Sequence, residues 1–221
     1  MGNDRRFRFG VMMPRAESGA QVREWARKAE DLGYSTLYVP DHFVDHPLAP
    51  IPTIAAVAMC TTTLNVGTLV LGNDYRHPVV LAKEAATIDL LSDGRLELGV
   101  GAGWMTVDYE QAGIPLDRPG VRIDRLRESV QVLKGLWSDG PFTLDGAHYR
   151  ITALDGDPKP VTPGGPKLVI GGGGPKVLAF AAEQADIVGI NANLRSGSAN
   201  DPSAAPSMNP ASTDDKLRWV K

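Results

Sequence analysis

Four consecutive glycines form the stretch of this chain with the clearest chemical meaning. They occupy positions 171–174, after an apolar run at 168–170 and directly before Pro175. Because proline suits the first turn of a helix, this order predicts a strand, a glycine turn and a helix. Glycine lets backbone N–H groups approach an anion closely, and a helix N-terminus adds a partial positive charge. The stretch predicts a phosphate site, although a tight turn that binds nothing would have the same pattern.

Asp41 and His42 are the second candidate for chemistry, and they follow an apolar run at 36–39. An imidazole titrates near neutral pH and can hold or release a proton, so we predict a catalytic role for His42. The structural alternative is that Asp41 caps a helix and that His42 is an ordinary loop residue. Cys60 lies in an apolar run and is interpreted as a core residue. No spacing of ligand residues predicts a metal site.

The elements that position these candidates can be predicted from the hydrophobic pattern. The chain alternates short apolar runs with amphipathic segments, as repeated strand–helix units do. Residues 138–166 are predicted to form a hairpin and loop insertion, because an Asp-Gly turn lies between two short runs there. Residues 191–213 are rich in Ser, Asn, Ala and Pro and are predicted to be a flexible loop. The predicted parallel strands are 7–13, 36–39, 64–71, 95–100, 168–170 and 186–190. The predicted helices are 21–32, 53–62, 79–91 and 123–137, with a further one from 214.

Parallel strands that alternate with helices form either an open doubly wound sheet or a closed barrel. A dinucleotide-binding fingerprint would favour the first, but Trp104 and Lys176 stand where its third glycine would fall. Polar, aromatic or glycine residues follow every predicted strand, as they do at the functional face of a barrel. We therefore predict an α/β fold of the (β/α)8 TIM-barrel type, as a single domain over 1–221 with about six parallel strands and incomplete at its C-terminus.

Composition excludes several other classes of protein. The formal charge is −3, from 23 basic and 26 acidic residues, which gives no electrostatic footprint for nucleic acid. No apolar run approaches the roughly 18 residues that span a bilayer, and the first residues lack an apolar leader. A single cysteine fits a reducing compartment. We expect a cytoplasmic protein that binds neither nucleic acid nor membranes.

Seven separated motifs in the right order resemble the luciferase-like flavin and deazaflavin oxidoreductases. The similarity spans about residues 7–191 and is strongest to the members that use coenzyme F-420, a deazaflavin, with FMN as the alternative cofactor. The motifs lie at 9–14 (FGVMMP), 29–34 (AEDLGY), 37–42 (LYVPDH), 76–78 (RHP), 91–101 (LSDGRLELGVG), 171–174 (GGGG) and 185–189 (ADIVG).

The resemblance implies a position for each part of the cofactor. The phosphate would lie on the glycine turn, and the ring across the barrel mouth, with His42 close to its reacting face. A cis peptide that does not involve proline would lie beneath the ring, between Leu69 and Val70. Some deazaflavin-dependent dehydrogenases have a glutamate proton donor where this chain has Trp104, and we take Glu110 as the nearest carboxylate downstream. The implied cofactor-binding residues are Asp41, Leu69, Val70, Gly101, Ala102, Gly103, Gly171, Gly172, Gly173, Gly174 and Pro175.

The resemblance also implies an enzyme, an oxidoreductase that moves a hydride between coenzyme F-420 and a small organic substrate. An FMN-dependent monooxygenase is the first alternative, and an inactive or fragmentary cofactor-binding barrel is the second. Family barrels have eight strands, so six strands indicate either a fragment or a naturally shortened barrel. Unpaired strands at the two edges of the sheet would be covered by a second copy, and we expect a homodimer.

Overall fold

Strands and helices alternate along the computed structural model, which describes residues 7–44, 46–194, 196–198, 202 and 204–220. Short 3-10 turns lie at Asn73–Tyr75 and Ala205–Met208. In chain order the strands and helices are β1 (Gly10–Met12), α1 (Gly19–Asp31), β2 (Thr36–Val39), α2 (Pro50–Cys60), β3 (Asn65–Thr68), β4 (Leu71–Gly72), α3 (Pro78–Leu91), β5 (Leu96–Gly101), α4 (Thr106–Ala112), α5 (Pro119–Trp137), β6 (Phe142–Asp145), β7 (Arg150–Leu154), β8 (Lys167–Gly172), α6 (Pro175–Gln184), β9 (Ile187–Ile190) and α7 (Pro210–Val220).

The main sheet is a curled half-barrel of parallel strands in the order β1-β2-β3-β5-β8-β9. The short strand β4 follows β3 after a two-residue break and also pairs with β5. Six parallel strands, each followed by helical chain, confirm the predicted TIM-barrel type of fold. Within the described residues β1 and β9 pair with one strand each, so the sheet does not close on itself.

The two faces of the half-barrel differ in character because side chains alternate along each strand. Leu37, Leu98 and Ile170 lie on the face that packs against the helices, and all three are buried in the apolar core. Glycines lie on the opposite face, where the ring of Tyr38 fills the space beside two of them. A Cβ atom would lie 2.7 Å from that ring at Gly10 and 2.8 Å from it at Gly67.

Glu97 brings a charge onto this glycine-lined face. Its buried carboxylate accepts hydrogen bonds from Thr36 Oγ1 at 2.9 Å and Tyr38 Oη at 2.6 Å, and it pairs with Arg8. Burial opposes ionisation, but these hydrogen bonds hold the pKa of Glu97 below its usual value. The inside of the half-barrel therefore carries a fixed, neutralised charge.

The hairpin predicted within 138–166 is confirmed, since β6 and β7 pair antiparallel. Several predicted elements differ from the structure, among them the strand predicted at 7–13, which is Gly10–Met12, and the helix predicted from 123, which begins at Pro119. The strand predicted at 64–71 is broken into β3 and β4, α4 was not predicted at all, and α7 begins at Pro210 rather than at 214. Part of the loop predicted at 191–213 (residues 195, 199–201 and 203) lies outside the described residues, and the part described includes the turn Ala205–Met208. Among the described helices none is both long and apolar enough to cross a membrane.

Candidate functional site

The residues proposed for the site lie at the C-terminal edge of the sheet. Parallel strands end together there, so the segments after β2, β3, β5, β8 and β9 meet although they are far apart in the sequence. The site has three parts: a hydrophobic centre around Val70, a wall that carries His42, and the glycine turn before α6.

Val70 forms the centre of the site and lies against two other predicted residues, Gly101 and Gly171. The peptide between Leu69 and Val70 is cis, as the resemblance implies. A Cβ atom at Gly101 would lie 2.7 Å from a Val70 methyl group, and one at Gly171 would lie 3.3 Å from the other. Val70 therefore fits between β5 and β8 only because both strands have glycine at that level.

Asp41 joins the end of β2 to the chain after β4. Its carboxylate accepts two hydrogen bonds from Arg76, at 2.7 and 3.1 Å, and one from the backbone N–H of Gly72 at 2.9 Å. Asp41 is buried, and the next helix begins only at Pro50, so the alternative of a helix cap is wrong. The carboxylate therefore ties the end of β2 to Gly72 and Arg76 at the C-terminal edge of the sheet. Direct contact between Asp41 and a cofactor stays a prediction.

His42 is held by a carboxylate that sequence reasoning missed. Its Nδ1 lies 2.6 Å from Oδ2 of Asp108, which is fully buried on α4. The other carboxylate oxygen, Oδ1, accepts backbone N–H groups of Phe43 at 3.0 Å and Val44 at 3.1 Å. An ionised carboxylate can only accept, so with Asp108 ionised Nδ1 of His42 carries a proton and Nε2 is left to exchange one.

Two rings flank the imidazole of His42. The ring of Trp104 packs edge-on against it at a centroid distance of 5.6 Å, and the ring of His46 lies at 5.5 Å. Trp104, at the position where the resemblance implies a glutamate in some deazaflavin-dependent dehydrogenases, thus lies beside the histidine. Taking Glu110 as the nearest carboxylate downstream was wrong, because Asp108 is nearer in sequence and buried against His42, whereas Glu110 is exposed.

The end of β5 is fixed by its own neighbours. Gly103 has φ +75°, and a Cβ atom there would lie 1.8 Å from the hydroxyl of Tyr109. That hydroxyl donates to Asp74 at 3.0 Å, and burial together with the Asp74 carboxylate raises the pKa of Tyr109. Arg122 donates to the carbonyl oxygens of Ala102, at 3.1 Å, and Gly103. The backbone at 101–103 therefore has a fixed path, with Val70 packed against Gly101 and Tyr109 against Gly103.

The four glycines of the turn differ in what surrounds the position of a Cβ atom. A Cβ atom would lie 2.2 Å from Val177 at Gly172 and 2.1 Å from the carbonyl oxygen of Ala192 at Gly173, so both positions need glycine for packing. At Gly174 a Cβ atom would meet nothing within 4 Å. None of the four has a positive φ. The protein's own packing explains Gly172 and Gly173 but not Gly174.

Gly174 is also the N-cap residue of α6, and no side chain caps that helix, which begins at Pro175 as predicted. The first N–H groups of a helix have no partner within it. At α6 the first helical residue, Pro175, has no N–H, no side chain caps the helix, and the space around the Cβ position of Gly174 is open. Phosphate binding at the turn stays a prediction, and the uncapped helix and the open space at Gly174 are compatible with it.

Comparison with known proteins agrees with this architecture. Residues 6–200 match the family of luciferase-like monooxygenases, and the chain belongs to that family. An uncharacterised protein of Mycobacterium tuberculosis is 31% identical over 200 residues, which cover 80% of this chain and 70% of that protein. An F420-dependent glucose-6-phosphate dehydrogenase of Amycolatopsis mediterranei is 32% identical over 170 residues, which cover 74% of this chain and 50% of that enzyme.

Solved structures show the same fold at lower identity. A coenzyme F420-dependent tetrahydromethanopterin reductase from Methanopyrus kandleri superimposes with a TM-score of 0.80 at 20% identity, over 96% of this chain and 59% of the reductase. The monooxygenase RslO1 from Streptomyces bottropensis gives 0.79 at 21% identity, over 97% of this chain and 64% of that protein. Members of the family are oxidoreductases and monooxygenases, so a flavin or deazaflavin cofactor is the common element. This chain spans between half and 70% of the length of these relatives.

Proposed function

We propose that this chain is an oxidoreductase that binds coenzyme F-420 at the C-terminal edge of its half-barrel and acts on a small organic molecule. The observation that carries the proposal is the pairing of His42 with buried Asp108, at the same edge of the sheet as the uncapped N-terminus of α6. One feature can exchange a proton and the other can hold a phosphate. Together they match what a phosphorylated redox cofactor requires of a protein.

The phosphate would be held by backbone N–H groups rather than by a dedicated side chain on the turn. The free N–H groups at the start of α6 and the open space at Gly174 support this assignment. Val70 would support the ring of the cofactor, since its methyl groups fill the space beside Gly101 and Gly171 at the C-terminal edge of the sheet.

His42 would hold or move a proton at Nε2, because Nδ1 is committed to Asp108. Asp108 would fix the orientation of the imidazole, and its bonds to Phe43 and Val44 fix Asp108 in turn. Trp104 would exclude water from one side of the imidazole. A bound deazaflavin would supply the hydride chemistry. The protein would orient the cofactor and the substrate, exclude water from the site and supply the proton.

A second candidate function is an FMN-dependent monooxygenase. Trp104 favours it, since this chain lacks the glutamate that some deazaflavin-dependent dehydrogenases have there. The structural likeness to a monooxygenase is as close as the likeness to the reductase. F-420 is preferred because curated relatives at 31% to 33% identity include several F420-dependent dehydrogenases.

The test is a pair of fluorescence titrations of the purified chain, one with F-420 and one with FMN. We expect F-420 to bind at least tenfold more tightly than FMN, a difference of about 1.4 kcal/mol. A preference for FMN of that size would instead support the monooxygenase. If neither cofactor bound to a cooperatively folded chain, both functions would be excluded for it.

A further inference from the structure

Lys216 places a buried ammonium group beside the glycine turn. It lies on α7 and is only 3% exposed. Its Nζ donates to the backbone carbonyl oxygens of Asn191 and Ser207, at 2.7 Å each, and lies 3.5 Å from the sulfur of Met208. Lysine is rarely this buried unless its charge is used or paired.

Asn191 connects this ammonium to the turn. The carbonyl oxygen that accepts from Lys216 also lies 3.0 Å from the position of a Cβ atom on Gly173. The Nδ2 atom of Asn191 lies 3.2 Å from the Cβ position of Gly171, and its backbone N–H donates to the carbonyl oxygen of Gly172 at 2.9 Å. Lys216 and the turn are therefore separated by a single residue.

The charge of Lys216 is not neutralised by the groups that bind it. Carbonyl oxygens satisfy its hydrogens but have no formal charge, and it forms no ion pair with a carboxylate of the described residues. On the same helix Asp215 is paired with Arg218 instead. Burial lowers the pKa of the Lys216 ammonium, which shows the cost of holding a charge there. An anion bound at the turn would offset that cost.

We propose that Lys216 supplies the formal positive charge that binds the phosphate of the cofactor at residues 171–174. The inference rests on the proposed function, and it adds to that function a binding residue from α7, an element outside the strand–helix unit that forms the turn. The N–H groups of α6 would orient the phosphate, while Lys216 would add a positive charge from behind Asn191. It would make no direct hydrogen bond to the phosphate, because its hydrogens already donate to Asn191, Ser207 and Met208. Its carbonyl partners hold the ammonium in place before the ligand arrives, so little ordering entropy is lost on binding.

The experiment compares ligands that carry the phosphate with ligands that lack it. FMN differs from riboflavin by one phosphate group, and F-420 differs from its deazaflavin core by the tail that carries its phosphate. Dissociation constants of both pairs would be measured for the wild type, Lys216→Gln and Arg218→Gln. Arg218→Gln is the matched control, because it removes one positive charge from an exposed position on the same helix.

We expect Lys216→Gln to reduce the preference for the phosphorylated ligand about tenfold, with the affinity for the phosphate-free ligand unchanged within twofold. Arg218→Gln should keep the full preference, and Lys216→Arg should keep it within threefold because it keeps the charge. If Lys216→Gln does not melt cooperatively, Lys216→Met replaces it, since methionine keeps an unbranched side chain of similar length.

Two results would overturn the proposal. An equal loss of affinity for both members of a pair would show that Lys216 only supports the fold. An unchanged preference in Lys216→Gln, together with a lost preference in Gly174→Asp, would leave the phosphate site in place and exclude Lys216 from it. A wild type that did not distinguish the members of either pair would overturn the proposed function itself, and the role of Lys216 with it.

Discussion

At the scale of the residue, the assignment of a proton to His42 depends on Asp108. The 2.6 Å contact commits Nδ1 of the imidazole, and the buried carboxylate is itself fixed by two backbone N–H groups. A histidine held in this way offers one nitrogen in a known direction. The contact leaves Nε2 as the nitrogen that can reach a ligand, so the role of Asp108 is to orient His42.

We predict that His42→Ala lowers the turnover of the F-420 reaction about 100-fold, as expected for loss of a positioned proton-transfer group. Asp108→Asn should lower it about tenfold, because the amide oxygen can still accept from Phe43 and Val44 but the amide NH2 group cannot accept the hydrogen of Nδ1, so the imidazole loses its fixed orientation. Neither variant should change the dissociation constant of F-420 more than threefold, since phosphate binding lies elsewhere. Steady-state kinetics and titration measure the two effects separately.

The control for this pair is Glu110→Gln, an exposed carboxylate on the same short helix α4. It should leave both turnover and affinity unchanged. Turnover of His42→Ala equal to that of the wild type would show that the proton comes from another group.

The glycine turn gives a second prediction at this scale. Substitution of Gly172 or Gly173 would disturb Val177 or Ala192 directly, so those positions test folding as much as binding. Gly174 has free space around its Cβ position, so Gly174→Asp should fold and should weaken F-420 binding at least tenfold by charge repulsion. Gly174→Ala should weaken it less. Gly19→Asp, at the start of α1 on the far edge of the sheet, is the matched control and should bind as the wild type does.

Some of these residues could be chosen from the sequence and others could not. His42 follows a strand and the four glycines lie at the end of another, both in recognisable motifs, and the cis peptide at Leu69 is implied by the resemblance. Asp108 contacts His42 across 66 positions of sequence, and Lys216 reaches Asn191 across 25. No local pattern reports a contact of that kind, because it exists only once the sheet has brought the strand ends together.

At the scale of the element, a single carboxylate on α1 organises the turn that leads into β3. Oε1 of Glu30 accepts backbone N–H groups of Thr62 at 2.7 Å, Thr63 at 2.6 Å and Leu64 at 3.0 Å. Burial opposes ionisation of Glu30, but these hydrogen bonds lower its pKa from 4.5 to about 2. The turn between α2 and β3 is therefore built around a charge on another helix.

This carboxylate predicts a pH-dependent stability. Because the pKa of Glu30 is lower in the folded chain, its contribution is complete above about pH 4.5 and is lost as the pH falls toward 2. Glu30→Gln should reduce the free energy of unfolding by about 1–2 kcal/mol at pH 7. The difference from the wild type should shrink steadily below pH 4.5. Urea unfolding followed by circular dichroism between pH 3 and 7 measures it.

Glu24→Gln, at an exposed position of α1, serves as the control and should be as stable as the wild type at every pH. A Glu30→Gln deficit that did not depend on pH would mean that packing, and not charge, is what Glu30 contributes.

The elements that sequence reasoning missed share a physical cause. Helix α4 has only seven residues, too few for a periodic apolar pattern to stand out. The break between β3 and β4 falls at Leu69 and Val70, two apolar residues that nothing in the local sequence pattern distinguishes from strand residues. Helix α7 begins with Pro210, but the polar residues that follow gave no apolar stripe, so its first turn was assigned to a loop.

At the scale of the whole molecule, the alternation of strands and helices in the sequence predicted the parallel sheet. The feature of that sheet that matters most in solution is that it does not close on itself. The outer edges of β1 and β9 have no neighbouring strand within the described residues. Phe9, just before β1, is 70% exposed, and Met12 on that strand is 40% exposed. A strand edge with unpaired backbone N–H and C=O groups and exposed apolar side chains can pair with a strand of another chain.

We therefore propose that the 221-residue chain self-associates through the β1 edge, and we expect light scattering to give a dimer or a larger species. Phe9→Lys should shift the population toward monomer, because a charge on an edge strand opposes pairing between chains. Val161→Lys changes an equally apolar but distant exposed residue (51% exposed) and should not alter the association state. A wild-type chain that remained monomeric at high concentration and melted cooperatively would refute the proposal, since it would show that the open edges are stable in water without a partner.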